Sequence, residues 1–254
     1  MNRLVGKTAI ITGATAGIGF KTAELFAEQG VDLIITGRRK ERLKEIKNDL
    51  EDRLRIKVTT ASFDVQDADA CREFVDALNV DVDILVNNAG LSKGIDPVFA
   101  ADFKDWDTMI DTNVKGLLYL SRLISARMKD LNSGHIINVG SSAGHESYAG
   151  GVVYSATKHA VKAITESTKK DLHGTNVRVS MVSPGLVETE FSEVRFDGDK
   201  EKAANVYKGM KPLTARDIAE IIVFVANRPA HVNIMDTIIY PVAQSSATMV
   251  HRNE

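Results

Sequence analysis

Seven short apolar runs rich in β-branched residues punctuate the chain: TAIIT (8–12), VDLIIT (31–36), IKVTTA (56–61), DILVNN (83–88), HIINVG (135–140), VRVSMV (177–182) and TIIYP (237–241). Their length and composition predict fully buried strands. Between them apolar positions recur with helical period in GFKTAELFAEQG (19–30), RKERLKEIKNDLEDRL (39–54), DTMIDTNVKGLLYLSRLISARM (107–128), YSATKHAVKAITESTKKDL (154–172) and ARDIAEIIVFVANRP (215–229). Strict alternation of buried strand and helix predicts parallel βαβ units with right-handed crossovers, packed as a doubly wound α/β fold with helices on both faces of the sheet. No low-complexity linker or repeat divides the chain, so a seven-stranded sheet in a single domain over 1–254 is expected. The longest interruption, 183–210, follows the sixth run. Long insertions in such folds serve as lids or binding loops, and a substrate lid is expected at about 184–212.

Composition narrows the function classes. The 254 residues are 44% hydrophobic and 26% charged, with a formal net charge of -2, so no basic field favours nucleic acid or an anionic membrane. No apolar run approaches the roughly 18–20 residues needed to span a bilayer, and MNRLVGKTAIIT enters a strand without a signal-peptide pattern. A cytoplasmic location is therefore expected. The only cysteine, Cys71, lies in the charged helical stretch DADACREFVDAL, where a surface or half-buried thiol with no catalytic part is expected. The six histidines show neither H-x3-H nor H-E-x-x-H spacing, and no metal site is expected.

Candidate chemistry begins where the first strand ends, in TGATAGIG (12–19), with Gly13, Gly17 and Gly19 ahead of a helix. Glycine lets the backbone turn sharply and approach a pyrophosphate, which then rests on amides at the positive end of the helix. The spacing is G-x3-G-x-G, not the common G-x-G-x-x-G, and alone it is weak evidence. Some twenty residues on, at the end of the second strand, an NAD site would carry an acid to accept from the ribose 2′-hydroxyl. An acid there would repel a 2′-phosphate, whereas this chain has Arg38 and Arg39, whose guanidinium groups can grip one, so the sequence selects NADP over NAD. The alternative reading is that both arginines merely open a charged helix. Asp64 and Val65 after the third strand, and NNAG (87–90) after the fourth, fall at the same sheet edge and are expected to share in holding the nucleotide.

In GHESYAGGVVYSATK (144–158), Tyr154 and Lys158 are four apart and share a helix face. Spacing alone leaves open whether they react or merely pack. Together with TGATAGIG, Asp64, NNAG, Asn113, NVGSSAG and SPGLVET, however, the order and spacing along the whole chain resemble the short-chain dehydrogenase/reductase family. That resemblance implies a single Rossmann-type domain, hydride transfer with a nicotinamide cofactor and, as is usual in the family, a homotetramer. It implies Tyr154 as acid/base, Lys158 as its partner, Ser141, thirteen residues before Tyr154, as the substrate-polarising hydroxyl, and Asn113 as support for a proton relay. It also implies cofactor contacts at Thr15 and Ile18 in the glycine loop, Asn87, Ala89 and Gly90, Tyr154 and Lys158 themselves, and Pro184, Gly185, Val187 and Thr189.

Removing a hydroxyl proton as hydride leaves carbon needs a base, and a free tyrosine, with a pKa of about 10, is protonated at neutral pH. Half-ionising it there takes a shift of about 3 units, roughly 4 kcal/mol of preference for the phenolate. Lys158 and an oxidised nicotinamide are the expected sources of that preference; nothing comparable is expected to act on Tyr148, which is assigned to shaping the substrate pocket. The C-terminal half more narrowly resembles NADP-dependent 3-hydroxy acid dehydrogenases that also oxidise L-serine and L-allo-threonine, through PGLVETEFSEVRFDGDKEKAANVYK (184–208) and the tail. Arg195, among the apolar residues of FSEVRF, is the candidate anchor for a substrate carboxylate, with pairing to Glu193 or Asp197 as the alternative. Two rival functions stand beside this one: a reductase for carrier-bound or steroidal keto groups, and a non-catalytic NADP-sensing protein, which would normally have lost Tyr or Lys.

Overall fold

The structure, a computed structural model, describes residues 2–253. In chain order it runs β1 (Thr8–Ile11), α1 (Gly17–Glu28), β2 (Asp32–Gly37), α2 (Lys40–Arg53), β3 (Val58–Ser62), α3 (Ala68–Asp76), β4 (Ile84–Asn87), α4 (Phe103–Ile110), a π-helical turn (Asp111–Gly116), α5 (Leu117–Asp130), β5 (Gly134–Val139), a 3-10 turn (Ser142–Gly144), α6 (Val152–Asp171), β6 (Val177–Pro184), β7 (Val187–Glu188), α7 (Glu190–Arg195), α8 (Lys200–Asn205), β8 (Leu213–Thr214), α9 (Ala215–Ala226) and β9 (Asp236–Ile239). Seven strands form one parallel sheet in the order β3-β2-β1-β4-β5-β6-β9, and β7 pairs only with β8.

Side chains of successive strand residues point to opposite faces, and here both faces are dry. Ile11, Ile35, Val86, Ile137 and Val182 pack with Phe26 of α1, Ile46 of α2 and Ile222 of α9. Their neighbours Ile10, Ile34, Leu85 and Ile136 pack with Val75 of α3 and Leu120 and Ile124 of α5. Each such side chain contributes roughly 1.5–3 kcal/mol by leaving water, which is why the inner strands read as unbroken apolar runs. The edge strands correct that expectation. Thr59, Thr60 and Ser62 of β3 are exposed, as are Asp236 and Ile238 of β9. β-branched threonine suits a pleated surface without requiring burial, so IKVTTA matched a strand composition without being a core strand.

Two further expectations are corrected. The helix expected over 107–128 starts at Phe103 and is broken by the π-helical turn into α4 and α5. Cys71 is neither superficial nor half-exposed: it is fully buried, its thiol directed at Val65 O (3.5 Å), and burial, with Asp67 and Asp64 nearby, pushes it up to about 11. Among the described residues no helix is long and apolar enough to cross a membrane.

β1 lies between β2 and β4, and the chain winds outward from it in both directions, so the carboxyl ends of β1 and β4 flank a crevice at the point where the strand order reverses.

Candidate active site

The strand ends open into a single cleft of about 530 Å³. Its floor is the loop from β1 to α1. Gly13 has φ +64, and a Cβ there would stand 2.9 Å from Ala89 Cα, so the loop can press against the end of β4 only with glycine at this position. Thr12 Oγ1 accepts from the amides of Asn88 and Ala89 (both 2.9 Å), and Asn88 Nδ2 donates to Thr12 O (2.8 Å) and Gly13 O (3.3 Å). Ahead of α1, Ala16 offers no side-chain cap, and the first turn carries no acid. The leading amides of α1 therefore keep their positive field for an anion.

Of the residues expected to hold the cofactor, all but two line this cleft. Gly19 is buried beneath the loop; a Cβ there would lie 2.4 Å from Asn88 Nδ2 and 2.5 Å from Gly13 O, so its smallness admits the Asn88 brace. Asn87 points to the other face of the sheet, donating to Ser121 Oγ and Asn138 Oδ1 (both 2.9 Å). Asn88, which sequence reasoning did not single out, occupies the cleft side. Strand parity carried the missing signal: Leu85 faces α5, so Asn87, two residues on, must as well.

At the end of β2, Arg38 Nη1 pairs with Asp64 Oδ2 at 3.5 Å. Arg39, the N-cap of α2, donates through Nε and Nη2 to Thr15 Oγ1 (3.0 and 2.9 Å) and through Nη1 to Glu190 Oε2 (3.0 Å).

The opposite end of the cleft is built on the first turns of α6, whose buried face carries Tyr154, Lys158, Val161 and Thr165. Lys158 Nζ donates to Val139 O (2.9 Å) and stands 5.9 Å from the centre of the Tyr154 ring. Ser141 opens the 3-10 turn, its Oγ accepting from Ala143 N (3.1 Å). Asn113, on the π-helical turn, is buried behind the cleft wall, where its Oδ1 accepts from Leu91 N (2.8 Å) and its Nδ2 donates to Leu91 O (2.8 Å) and Thr157 Oγ1 (3.1 Å). It thus ties the end of β4 to α6. A Cβ on Gly90 would come within 3.2 Å of Asn113 Oδ1 and 3.7 Å of Lys158 Nζ, which shows how closely these groups converge.

The electrostatics differ from the sequence expectation. Burial raises Tyr154 above its ordinary value; the charge of Arg195, then the Ser141 hydroxyl, pull against it. Burial brings Lys158 down to about 8. In the chain by itself, Arg195 rather than Lys158 is the main cation favouring the phenolate. Nor does Tyr148 lack a partner. Arg195 Nη2 donates to its hydroxyl at 3.2 Å, and the guanidinium carbon lies 5.3 Å from the Tyr154 ring centre and 5.2 Å from that of Phe191. Arg195 pairs with neither Glu193 nor Asp197; the latter takes Lys93 instead. Arg195 lines the cleft, and its Nε is closed off from solvent without a hydrogen-bond partner.

Sequence reasoning also passed over Phe191, packed edge-on at 5.7 Å from Tyr154, and Gln244, whose Oε1 accepts from Leu186 N (2.9 Å) at the cleft wall. Phe191 opens the FSEVRF stretch and Gln244 lies in the tail, but both stretches carried only the family resemblance, with no role given to either side chain.

The depressed Lys158 makes a stability statement. Between its folded value of about 8 and its ordinary 10.5, the unfolded chain holds the proton more tightly, so the burial penalty is present in full below about pH 8 and fades as pH rises. Between pH 7 and 9.5, wild type should gain about 2 kcal/mol relative to Lys158→Met, whatever their order at pH 7. Denaturant titrations of both proteins at the two pH values measure this; a constant difference would show that Lys158 titrates normally.

Comparison with known proteins places this architecture. Residues 7–200 match the family model described as short chain dehydrogenase. The NADP-dependent 3-hydroxy acid dehydrogenase YdfG of Salmonella typhi is 49% identical over 249 residues, covering 96% of this chain and 99% of that protein. The NADP-dependent 3-hydroxy acid dehydrogenase of Schizosaccharomyces pombe is 44% identical over the full length of both. Among solved structures, the closed form of a serine dehydrogenase complexed with NADP+ superposes with a TM-score of 0.91 at 47% identity, covering 96% of this chain and 99% of that one. With a parallel seven-stranded sheet, a glycine-floored crevice at its switch point and relatives that match from end to end, the chain belongs to the short-chain dehydrogenase family.

Proposed function

We propose that this protein is an NADP-dependent dehydrogenase of small 3-hydroxy acids, including β-hydroxy amino acids of the L-serine and L-allo-threonine type. The observation that carries the reading is that one continuous cleft joins a phosphate-holding end, with Arg38, Arg39 and the open start of α1, to an acid/base end, with Tyr154, Lys158, Ser141 and Arg195. The names of the full-length relatives support both halves. Gly13 and the uncapped amides of α1 fit a pyrophosphate, and the two arginines fit a 2′-phosphate. NADP, when bound, supplies the hydride acceptor.

The residues divide the remaining work. The Tyr154 hydroxyl takes the substrate's hydroxyl proton as phenolate and returns it in the reverse reaction. Ser141 donates to the same substrate oxygen and holds it in line. Lys158, anchored on Val139 O, keeps a positive charge one helical turn from the phenol, and Asn113 fixes the Gly90–Leu91 stretch against α6 so that this spacing holds. Arg195 pairs with the substrate carboxylate through the edge it does not use on Tyr148, and the segment that carries it, about 184–212, acts as the lid. A carboxylate anchor favours a hydroxy acid over neutral or carrier-bound ketones. Exposed apolar residues on α4 and α5 (Phe103, Ile110, Leu118), on α9 (Phe224) and on and after β9 (Ile238, Val242) suit a homotetramer, which is proposed together with a cytoplasmic location.

A panel of L-serine, L-allo-threonine, 3-hydroxyisobutyrate, 3-hydroxypropionate and acetoacetyl thioesters with NADP or NAD tests the reading. Turnover should favour the small acids and NADP. In the Arg38→Ala/Arg39→Ala variant the KM for NADP should rise tenfold or more while that for NAD barely moves, since each charge-assisted bond is worth about 1.5–3 kcal/mol. Equal losses with both cofactors would show that the arginines only brace the fold.

A further inference from the structure

We infer that Glu190, the first residue of the lid helix α7, sets how tightly and how selectively the cleft holds a 2′-phosphate, because its carboxylate and that phosphate compete for the Arg39 guanidinium. The inference rests on the reading that Arg39 receives the 2′-phosphate.

The guanidinium has five N–H donors. Thr15 Oγ1 already takes Nε and Nη2, and Glu190 Oε2 takes Nη1. A phosphate gripped in bidentate fashion needs two neighbouring donors of the fork; with the Nε edge held by Thr15, the end formed by Nη1 and Nη2 remains, and Glu190 sits on it. Charge balance points the same way. Arg38 is paired with Asp64 and Arg39 with Glu190, so two cations face two carboxylates before any ligand arrives. A phosphate carrying nearly two negative charges must enter a locally neutral site, with a carboxylate on the same guanidinium it needs.

Glu190 is well placed for such an exchange because it belongs to the lid and not to the sheet. Thr189, the N-cap of α7, lies against the glycine loop, where a Cβ on Gly17 would meet it at 3.4 Å. The far end of α7 is held independently, by Gly94 N donating to Arg195 O (2.9 Å) and by the Lys93–Asp197 pair. Releasing Glu190 therefore frees one corner of the lid and leaves the substrate end docked. Both members of the Arg39–Glu190 pair are about half exposed, at 51% and 56%, so solvent screening keeps the effect within about fivefold.

Calorimetric titration of NADP+ and NAD+ into wild type, Glu190→Gln, Arg39→Ala and the double variant tests the inference. Glu190→Gln should tighten NADP+ about two- to fivefold, with a smaller gain at high salt, and change NAD+ binding by much less. In the Arg39→Ala background the same substitution should have no effect on NADP+. Unchanged or weaker NADP+ binding, an equal gain for NAD+, or a gain that persists without Arg39 would each overturn it. Should Arg39→Ala itself bind NADP+ as tightly as wild type, the placement of the 2′-phosphate on Arg39 fails instead, an outcome that the single variants separate from failure of the competition.

Discussion

Tyr154→Phe is expected to abolish turnover while leaving the NADP dissociation constant within about twofold of wild type. The substitution removes one hydroxyl and keeps the ring that packs edge-on against Phe191 and beneath Arg195. Acid/base groups usually supply 10²–10⁴-fold in rate, so a variant that kept more than about a tenth of wild-type kcat would assign the proton to another group. Tyr148→Phe is the matched control, and it is not silent. Its hydroxyl accepts from Arg195 Nη2. Loss of that contact should loosen Arg195 and raise KM for acids while kcat is largely kept, a split that an acid/base residue could not give.

The pair at the acid/base end is poised by opposing pressures. Burial disfavours both charged forms, raising the phenol and lowering the ammonium, the latter to about 8. Arg195 supplies the leading counter-pull on Tyr154. The proposed substrate anchor and the proposed base are therefore electrostatically linked through a residue on the lid, so a carboxylate that neutralises Arg195 also alters how readily Tyr154 gives up its proton.

What could be read from the sequence, and what could not, follows the range of the interactions. The inner strands were legible because Ile, Val and Leu with dry surroundings on both faces leave a continuous local pattern. β3 was legible as a strand but not as an edge, since Thr59 and Thr60 satisfy a strand's composition equally well in water. In NNAG the strand end was plain, while the choice between Asn87 and Asn88 turned on parity relative to Leu85. The glycine loop, the paired arginines and the Tyr154–Lys158 spacing are all short-range and could be quoted directly. Contacts of the lid are another matter. Arg39 and Glu190 are 151 residues apart, and Arg195 and Tyr148 are 47 apart. Nothing in FSEVRF says that its arginine turns toward a tyrosine rather than toward Glu193, because that choice is made by the packing of α7 across the cleft. Gln244 reaches Leu186 across 58 residues from a tail whose likeness to relatives says nothing about which of its side chains turns inward.

Arg195→Met carries the largest expected effect on substrate choice. Methionine keeps an apolar stem against Tyr154 and Phe191 while removing the charge, which separates lost pairing from lost packing. On L-allo-threonine or 3-hydroxybutyrate, kcat/KM for oxidation should fall at least tenfold, about 1.4 kcal/mol of transition-state binding, across the whole pH range. A neutral β-hydroxy ester of similar size makes no carboxylate contact, so its limiting kcat/KM at high pH should be kept. Its pH profile, however, should move. Oxidation needs the phenolate, and Arg195 is the main charge holding Tyr154 down against burial, so without it the acidic limb shifts to higher pH for either substrate. Acid and ester therefore share the shift and differ in the plateau. A parallel loss of both plateaus would mean that Arg195 serves lid closure and not recognition. A kept plateau on both would move the carboxylate anchor elsewhere in the cleft and restore neutral ketones as substrates, and an unmoved limb would return the tuning of Tyr154 to Lys158.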